Sequence, residues 1–307
     1  MSDGVVTELS ELIALRRHAH SANYTPERRA VRSGNHLSKL RGRGMDFAEV
    51  RNYQAGDEVR HMEWRVTART GRPHVKLFQE ERERPAIILV DFSPSMYFGT
   101  RVAFKSVVAA RLAAILSWTA MNQGDRLGGL LFSDTTHSEF TPRGREAGVL
   151  PFLASLSAYT QEAPRAIDRS MPKEGILNQA LVRLRRVARP GSILVLISDF
   201  YQVDRETEQH LSRLRAHNDI LAYHICDPLE LSPPNPHQYA ITNGREEILF
   251  DTTQHAVETG YQTYCDHRIA ELQALLKRNQ IQYVQVTSEL DLPYLVKTTY
   301  PRRSAHG

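Results

Sequence analysis

"AIILVDFSPSM", Ala86 to Met96, decides how the rest of the chain is read. Ala86 to Val90 are all apolar, without the alternation of a half-exposed strand. A run that is apolar on both faces marks a central parallel strand covered by helices on both sides. An acid and two hydroxyls follow at alternate positions, Asp91, Ser93 and Ser95. In a turn leaving a strand, alternate side chains can point to one side and converge. One carboxylate with two hydroxyls is a hard-oxygen set, suited to Mg²⁺ or Mn²⁺ and not to zinc, which prefers nitrogen and sulfur. The same residue types also serve as plain turn and N-cap residues, and Pro94 suits a plain turn.

Downstream the chain alternates between strand-like and helix-like runs. "RVAFKSVVAARLAAILSWTAMNQ" predicts a long helix ending near Gly124, and "RLGGLLFS" a second strand with "HSEFTP" beside it as an edge. "SILVLISDF" is another strand buried on both faces, and it ends at Asp199. Further helices are expected at "REAGVLPFLASLSA", "ILNQALVRLRRVA", "RETEQHLSRLRAH", "VETGYQTYCDHRIAELQALLKRN" and "LDLPYLVKTTY", with strands at "DILAYHICDP" and "IQYVQVT" and a hairpin around Asn243-Gly244. This rhythm predicts an α/β fold, an open, mostly parallel, doubly wound sheet of Rossmann type. Ligands of such sheets gather at the carboxyl ends of the strands where strand order reverses, so Asp91 and Asp199 are expected on one rim.

The organisation read from the sequence has four parts. Residues 1–34 form a helix over Val5–Arg17, N-capped by Ser2 or Asp3, and a basic arm. Residues 35–84 carry a hairpin of "MEWRVTART" and "HVKLFQEE" around Gly71-Arg-Pro73. Residues 85–300 form the α/β domain and 301–307 a tail.

The totals are those of a globular protein: 307 residues, 41% hydrophobic and 24% charged. Two cysteines, Cys226 and Cys265, in apolar and helical surroundings read as buried reduced thiols, not as a disulfide framework. The N-terminus lacks an apolar signal region and no run approaches a membrane span, so a cytoplasmic location is expected. The net charge of +4 lies wholly in residues 1–85, with 16 Lys+Arg against 12 Asp+Glu. There, arginines alternate with acids, a pattern of ion-pair networks more than of a phosphate track, and nucleic-acid binding through this segment is the least favoured reading.

"DFSPS" followed by "ISDF" resembles the metal-ion-dependent adhesion site (MIDAS) of von Willebrand factor A domains, in which Asp-x-Ser-x-Ser follows the first strand and an Asp follows the fourth. "FAEVRNYQAGDEVRHMEWRVTARTGRPHVKLFQEERE" with "DPLE" at 227–230 resembles the bacterial family catalogued as domain of unknown function fifty-eight, above all in the block Tyr53, Gly56, Asp57, Arg60 and Trp64. That resemblance spans roughly 34–300. It implies a von Willebrand A-like fold, Mg²⁺ or Mn²⁺ at Asp91, Ser93, Ser95 and Asp199, and a MoxR-type AAA+ ATPase, with other von Willebrand A proteins, as partners. The function it implies is that of a non-catalytic adaptor in remodelling or maturation of other proteins. The family's Thr falls on Gly175 here; Thr160 and Ser170 lie upstream at a poor spacing, so metal binding through fewer oxygens is expected.

Two readings stay open for several residues. Asp57, Arg60 and Glu63 tie a hairpin while Trp64 buries apolar area, or Arg60, Arg65 and Arg69 present a docking surface to an acidic partner. Asp227 extends the rim site or starts the turn at Pro228. A metal-dependent phosphoryl-transfer or hydrolytic enzyme is the alternative function, although a haloacid-dehalogenase-type site needs an acid where Ser93 stands, and no phosphate loop, GxSxG elbow or HExxH motif occurs.

Overall fold

The structure is a computed structural model that describes residues 4–19, 45–80, 84–162, 174–242 and 247–301. The chain forms two compact units, residues 1–23 with 84–301 and residues 24–83 with 302–307. In chain order, helices α1 (Leu9–Ala14) and α2 (Arg16–Ala19) open the larger unit. The smaller unit holds β1 (Met45–Asn52), α3 (Trp64–Thr70) and β2 (His74–Glu80). The larger unit resumes with β3 (Pro85–Asp91), α4 (Lys105–Asn122), β4 (Arg126–Phe132), β5 (His137–Arg143) and α5 (Glu146–Thr160). Next come α6 (Ile176–Val187), β6 (Ile193–Ser198), α7 (Arg205–Arg215) and β7 (Asp219–Ile225). The described chain closes with the antiparallel pair β8 (Gln238–Thr242) and β9 (Glu247–Asp251), then α8 (His255–Arg278), β10 (Gln282–Val286) and α9 (Leu292–Thr299).

The main sheet has the order β10-β7-β6-β3-β4-β5; every pair is parallel except β4–β5, whose edge strand is the expected "HSEFTP". Alternation along the central strands explains their unbroken apolar runs. Ile88, Val90, Val195 and Ile197 face a core closed by α4 and α5. Ile87, Leu89, Leu194 and Leu196 face a second core closed by Leu181 of α6, Leu211 of α7 and Leu276 of α8. Each such side chain contributes about 1.5–3 kcal/mol on burial. The first face packs closely: a Cβ on Gly129 would lie 2.2 Å from the Phe152 ring, so only glycine lets α5 approach β4 there.

The connection from β3 runs through α4 to β4 on one side, while that from β6 runs through α7 to β7 on the other. Strand order therefore reverses between β3 and β6. Loops diverge there and leave a crevice at the carboxyl ends, where Asp91 and Asp199 stand.

Two expectations need correcting. "MEWRVTART" is not a strand: its core is α3, started by the Glu63 carboxylate accepting from Arg65 N and ended by Gly71 at φ 70. The partner of β2 is β1, with a register shift between Phe47 and Glu49. α3 is tied to β2 by the Glu63–Lys76 ion pair and by the Thr67 hydroxyl accepting from His74 N. The N-terminal helix, set beside the basic arm in the sequence reading, belongs to the α/β body. Trp118 Nε1 donates to Leu12 O (3.1 Å), Thr7 N donates to Thr160 Oγ1 (3.1 Å), and Arg111 pairs with Glu11 (2.7 Å). Its N-cap is Glu8; Ser2, Asp3 and the Asn243-Gly244 turn lie outside the described residues. Among the described residues no helix is long and apolar enough to cross a membrane.

Candidate functional site

β3 delivers Asp91 to the crevice at 4% exposure, and a 3-10 turn at Pro94–Met96 follows directly. Asp91 Oδ1 accepts from Ser93 N (2.8 Å), a local bond that folds the turn back on the strand end. Its Oδ2 accepts from the Ser198 hydroxyl at the end of β6 (2.6 Å). The hydroxyls of Ser93 and Ser95 lie 3.2 Å apart. Asp199 comes in from β6 with Oδ1 accepting from Tyr201 N (3.1 Å). The next residue, Phe200, is a buried aromatic at φ 46, held in a left-handed conformation that a bulky side chain adopts only under constraint; its N–H donates to Ser198 Oγ. Asp91, Ser93, Ser95 and Asp199 thus share one cavity of about 30 Å³, with Ile176 and Leu177 on its apolar side. A space of this size takes a water or two.

At the position expected to carry the family's Thr, Gly175 caps α6 at φ 73 and offers no side-chain oxygen. Thr160 is committed elsewhere, in hydrogen bonds with Thr7, and Ser170 lies outside the described residues.

The residue that sequence reasoning overlooked is Lys105, the first residue of α4. Its side chain is 3% exposed, and its ammonium donates to Asp199 Oδ2 (2.8 Å) and to Glu230 Oε1 (2.7 Å). Burial alone would lower the pKa of this ammonium, but Asp199 and Glu230 override burial and hold it above the ordinary lysine value. Burial likewise works to raise Asp199, yet the Lys105 charge prevails and leaves it below the usual carboxylate value. Asp91 goes the other way. Burial, then the charge of Asp199, push it up to about 6. One acid of the pair has a cation against it; among the described residues Asp91 has none.

Asp227 lies behind this pair and not in the cavity lining. Its carboxylate accepts from Leu229 N (2.9 Å), so it starts the turn Pro228–Glu230, and it also accepts from Thr100 N (2.8 Å) and Thr100 Oγ1 (2.6 Å). Glu230 completes the capping box by accepting from Asp227 N (2.9 Å), which aims its other oxygen at Lys105. "DPLE" is therefore a clamp on the lysine. From α8, Arg268 donates to Asp199 O (3.2 Å) and lies over the Tyr201 ring at 4.9 Å. The available signals were a lone lysine inside an apolar helix run and an acid three residues after Asp227.

In the smaller unit, Asp57 accepts from Gln54 N and Arg51, which hold it low, and Glu63 is held low by Lys76. These acids shape the block. Trp64 does not bury apolar area: it is 65% exposed, as are, in kind, Arg60, Arg65 and Arg69, whose side chains form no ion pair among the described residues. Both cysteines are buried and free. Among the described residues no three His, Cys, Asp or Glu side chains gather into a metal-ligand set, so any cation at the rim depends on the hydroxyls.

Fold and rim together define an α/β protein with a carboxylate–hydroxyl site at the reversal point of a mostly parallel sheet. The chain belongs to the family described as "Protein of unknown function DUF58", matched over residues 49–270. It is similar to uncharacterized proteins of Mycobacterium bovis and Mycobacterium tuberculosis, 32% identical over 205 residues that cover 67% of this chain. The match spans 62% of the length of those relatives. Among solved structures it is similar to the conserved hypothetical protein BatB from Bacteroides thetaiotaomicron, at 15% identity and a TM-score of 0.43, covering 70% of this chain and 95% of that one.

Proposed function

We propose that the protein is a non-catalytic, von Willebrand A-like adaptor whose rim takes a divalent cation, Mg²⁺ or Mn²⁺, and through it a carboxylate of a partner. The observation that carries this reading is Asp91, a buried carboxylate with no cation against it among the described residues, opening into a cavity beside two hydroxyls 3.2 Å apart. The donor chemistry suits the ion: neighbouring ligands of an octahedral site at ~2.1 Å stand about 3.0 Å apart. Asp91, Ser93 and Ser95 would hold the cation, with Asp199 behind them. Bound there, it supplies a Lewis-acidic point of attachment for a carboxylate. A binding role is favoured over phosphoryl transfer because Ser93 stands where the second acid would be needed and both Asp91 oxygens accept hydrogen bonds from the fold.

The partner that family resemblance suggests is a MoxR-type AAA+ ATPase. A second contact surface is supported by the exposed Trp64 flanked by Arg60, Arg65 and Arg69, since tryptophan and arginine are the residues that most often carry interface energy. The deciding experiment is co-purification with a MoxR-type AAA+ ATPase from the same organism, in Mg²⁺ and in EDTA, for the natural protein, Asp91→Ala and Ser93→Ala. Binding that survives chelation and both substitutions would sink the metal bridge.

A further inference from the structure

We propose that Lys105 is a resident counter-ion that sets the divalent-ion affinity of the rim low, so that stable occupancy requires the partner's carboxylate. The proposal rests on the metal reading above and adds what regulates that site.

Lys105 cannot leave the rim by simple rotation. It is the first residue of a helix buried along nearly its whole length, and its ammonium is gripped by Asp199 and Glu230. Glu230 is fixed by its capping box, and the Asp227 that completes the box is fixed by Thr100. Both oxygens of Asp199 are satisfied without any metal, one by the ammonium and one by Tyr201 N. A cation entering the cavity therefore meets one uncompensated carboxylate, Asp91, while a fixed positive charge stands directly behind the other. Mg²⁺ sites usually combine one or two carboxylates with waters and groups of the bound partner. With Asp199 paired to Lys105 and Gly175 in place of a third hydroxyl, this rim supplies the minimum among the described residues. The same ammonium keeps the metal-free rim folded, because Asp199 and Glu230 never face each other unpaired. A merely structural ion pair would leave metal affinity unmoved.

The test is Mn²⁺ titration of the full chain followed by electron paramagnetic resonance. Removing a unit charge this close to the cation is expected to tighten Mn²⁺ binding by at least about tenfold in Lys105→Met, whereas Lys105→Arg, which keeps the charge, stays within about threefold of the natural protein. Asp91→Asn abolishes binding in both backgrounds. Should Lys105→Met unfold in EDTA, Mn²⁺ is expected to restore its melting transition. The proposal is overturned if Lys105→Met binds Mn²⁺ no more tightly than the natural protein, or if Mn²⁺ fails to rescue its fold. Asp91-dependent binding that ignores Lys105 would overturn this proposal alone; no Asp91-dependent binding in either protein would overturn the metal reading with it.

Discussion

Lys105 Nζ lies 2.8 Å from Asp199 Oδ2, an ion pair sealed from solvent at the reversal point of the sheet. Breaking a buried pair from one side strands a charge and typically costs about 3–5 kcal/mol, whereas replacing the whole set by apolar or neutral groups is often close to neutral. In metal-free buffer, Lys105→Met is therefore expected to lose about that much stability in urea unfolding. The triple variant Lys105→Met, Asp199→Asn, Glu230→Gln should lose clearly less. Equal losses would mean that the stranded charges are not the cause.

A second prediction concerns acid. His224 is 3% exposed, with Nδ1 2.9 Å from the Tyr283 hydroxyl. Burial, reinforced by Arg268, brings its pKa from 6.5 down to about 4. It is neutral in the folded chain but protonates near 6.5 when unfolded. Its contribution is thus fully present above pH 6.5 and is lost as the pH falls towards about 4. A shift of this size corresponds to roughly 3 kcal/mol. Melting curves between pH 7 and pH 4 should fall less steeply for His224→Phe, which keeps a ring beside Phe200; parallel curves would refute the assignment.

Gly175 is a conformational requirement and not a steric one. Its φ is 73, and among the described residues no atom lies within 4 Å of the position a Cβ would take. Gly175→Ala should cost about 1 kcal/mol through the left-handed backbone alone, and Gly175→Asn less, since asparagine visits that region readily. The order of the two unfolding midpoints checks this.

For the smaller unit, Trp64→Ala combined with Arg69→Glu is expected to leave the unfolding midpoint unchanged while weakening capture by the proposed ATPase partner at least about tenfold, the loss of one good hot spot. A shifted midpoint with unchanged capture would return Trp64 to a packing role.

Much of the larger unit was legible because its strands are buried on both faces. Ala86–Val90 and Ile193–Ile197 can be little else in a chain of this composition, and the acids that end them fall on the rim by connectivity alone. The smaller unit was harder to read for physical reasons. α3 is seven residues long and owes its form to its caps, Glu63 and Gly71, while its Trp, Val and Thr mimic a strand. β1 hides behind its register shift, which breaks the two-residue period. At the site, Asp91, Ser93, Ser95 and Asp199 could be named because each sits beside a strand end. Lys105 and Glu230 could not, since their meeting across 125 positions depends on where a helix start and a capped turn arrive in space.

The bond between Thr7 and Thr160 bears on the order of events during synthesis. The partners are separated by 153 positions, and Leu12 waits on Trp118 across 106. The first helix cannot complete its docking until both α4, which carries Trp118, and α5, which carries Thr160, have been made. Docking of residues 7–19 is therefore a late, long-range step, with a loop-closure cost that grows as the logarithm of the loop it closes. Until then α4, which the finished fold buries along nearly its whole length, keeps one side uncovered. The opening residues act last, as the closure on a core that everything after them has built.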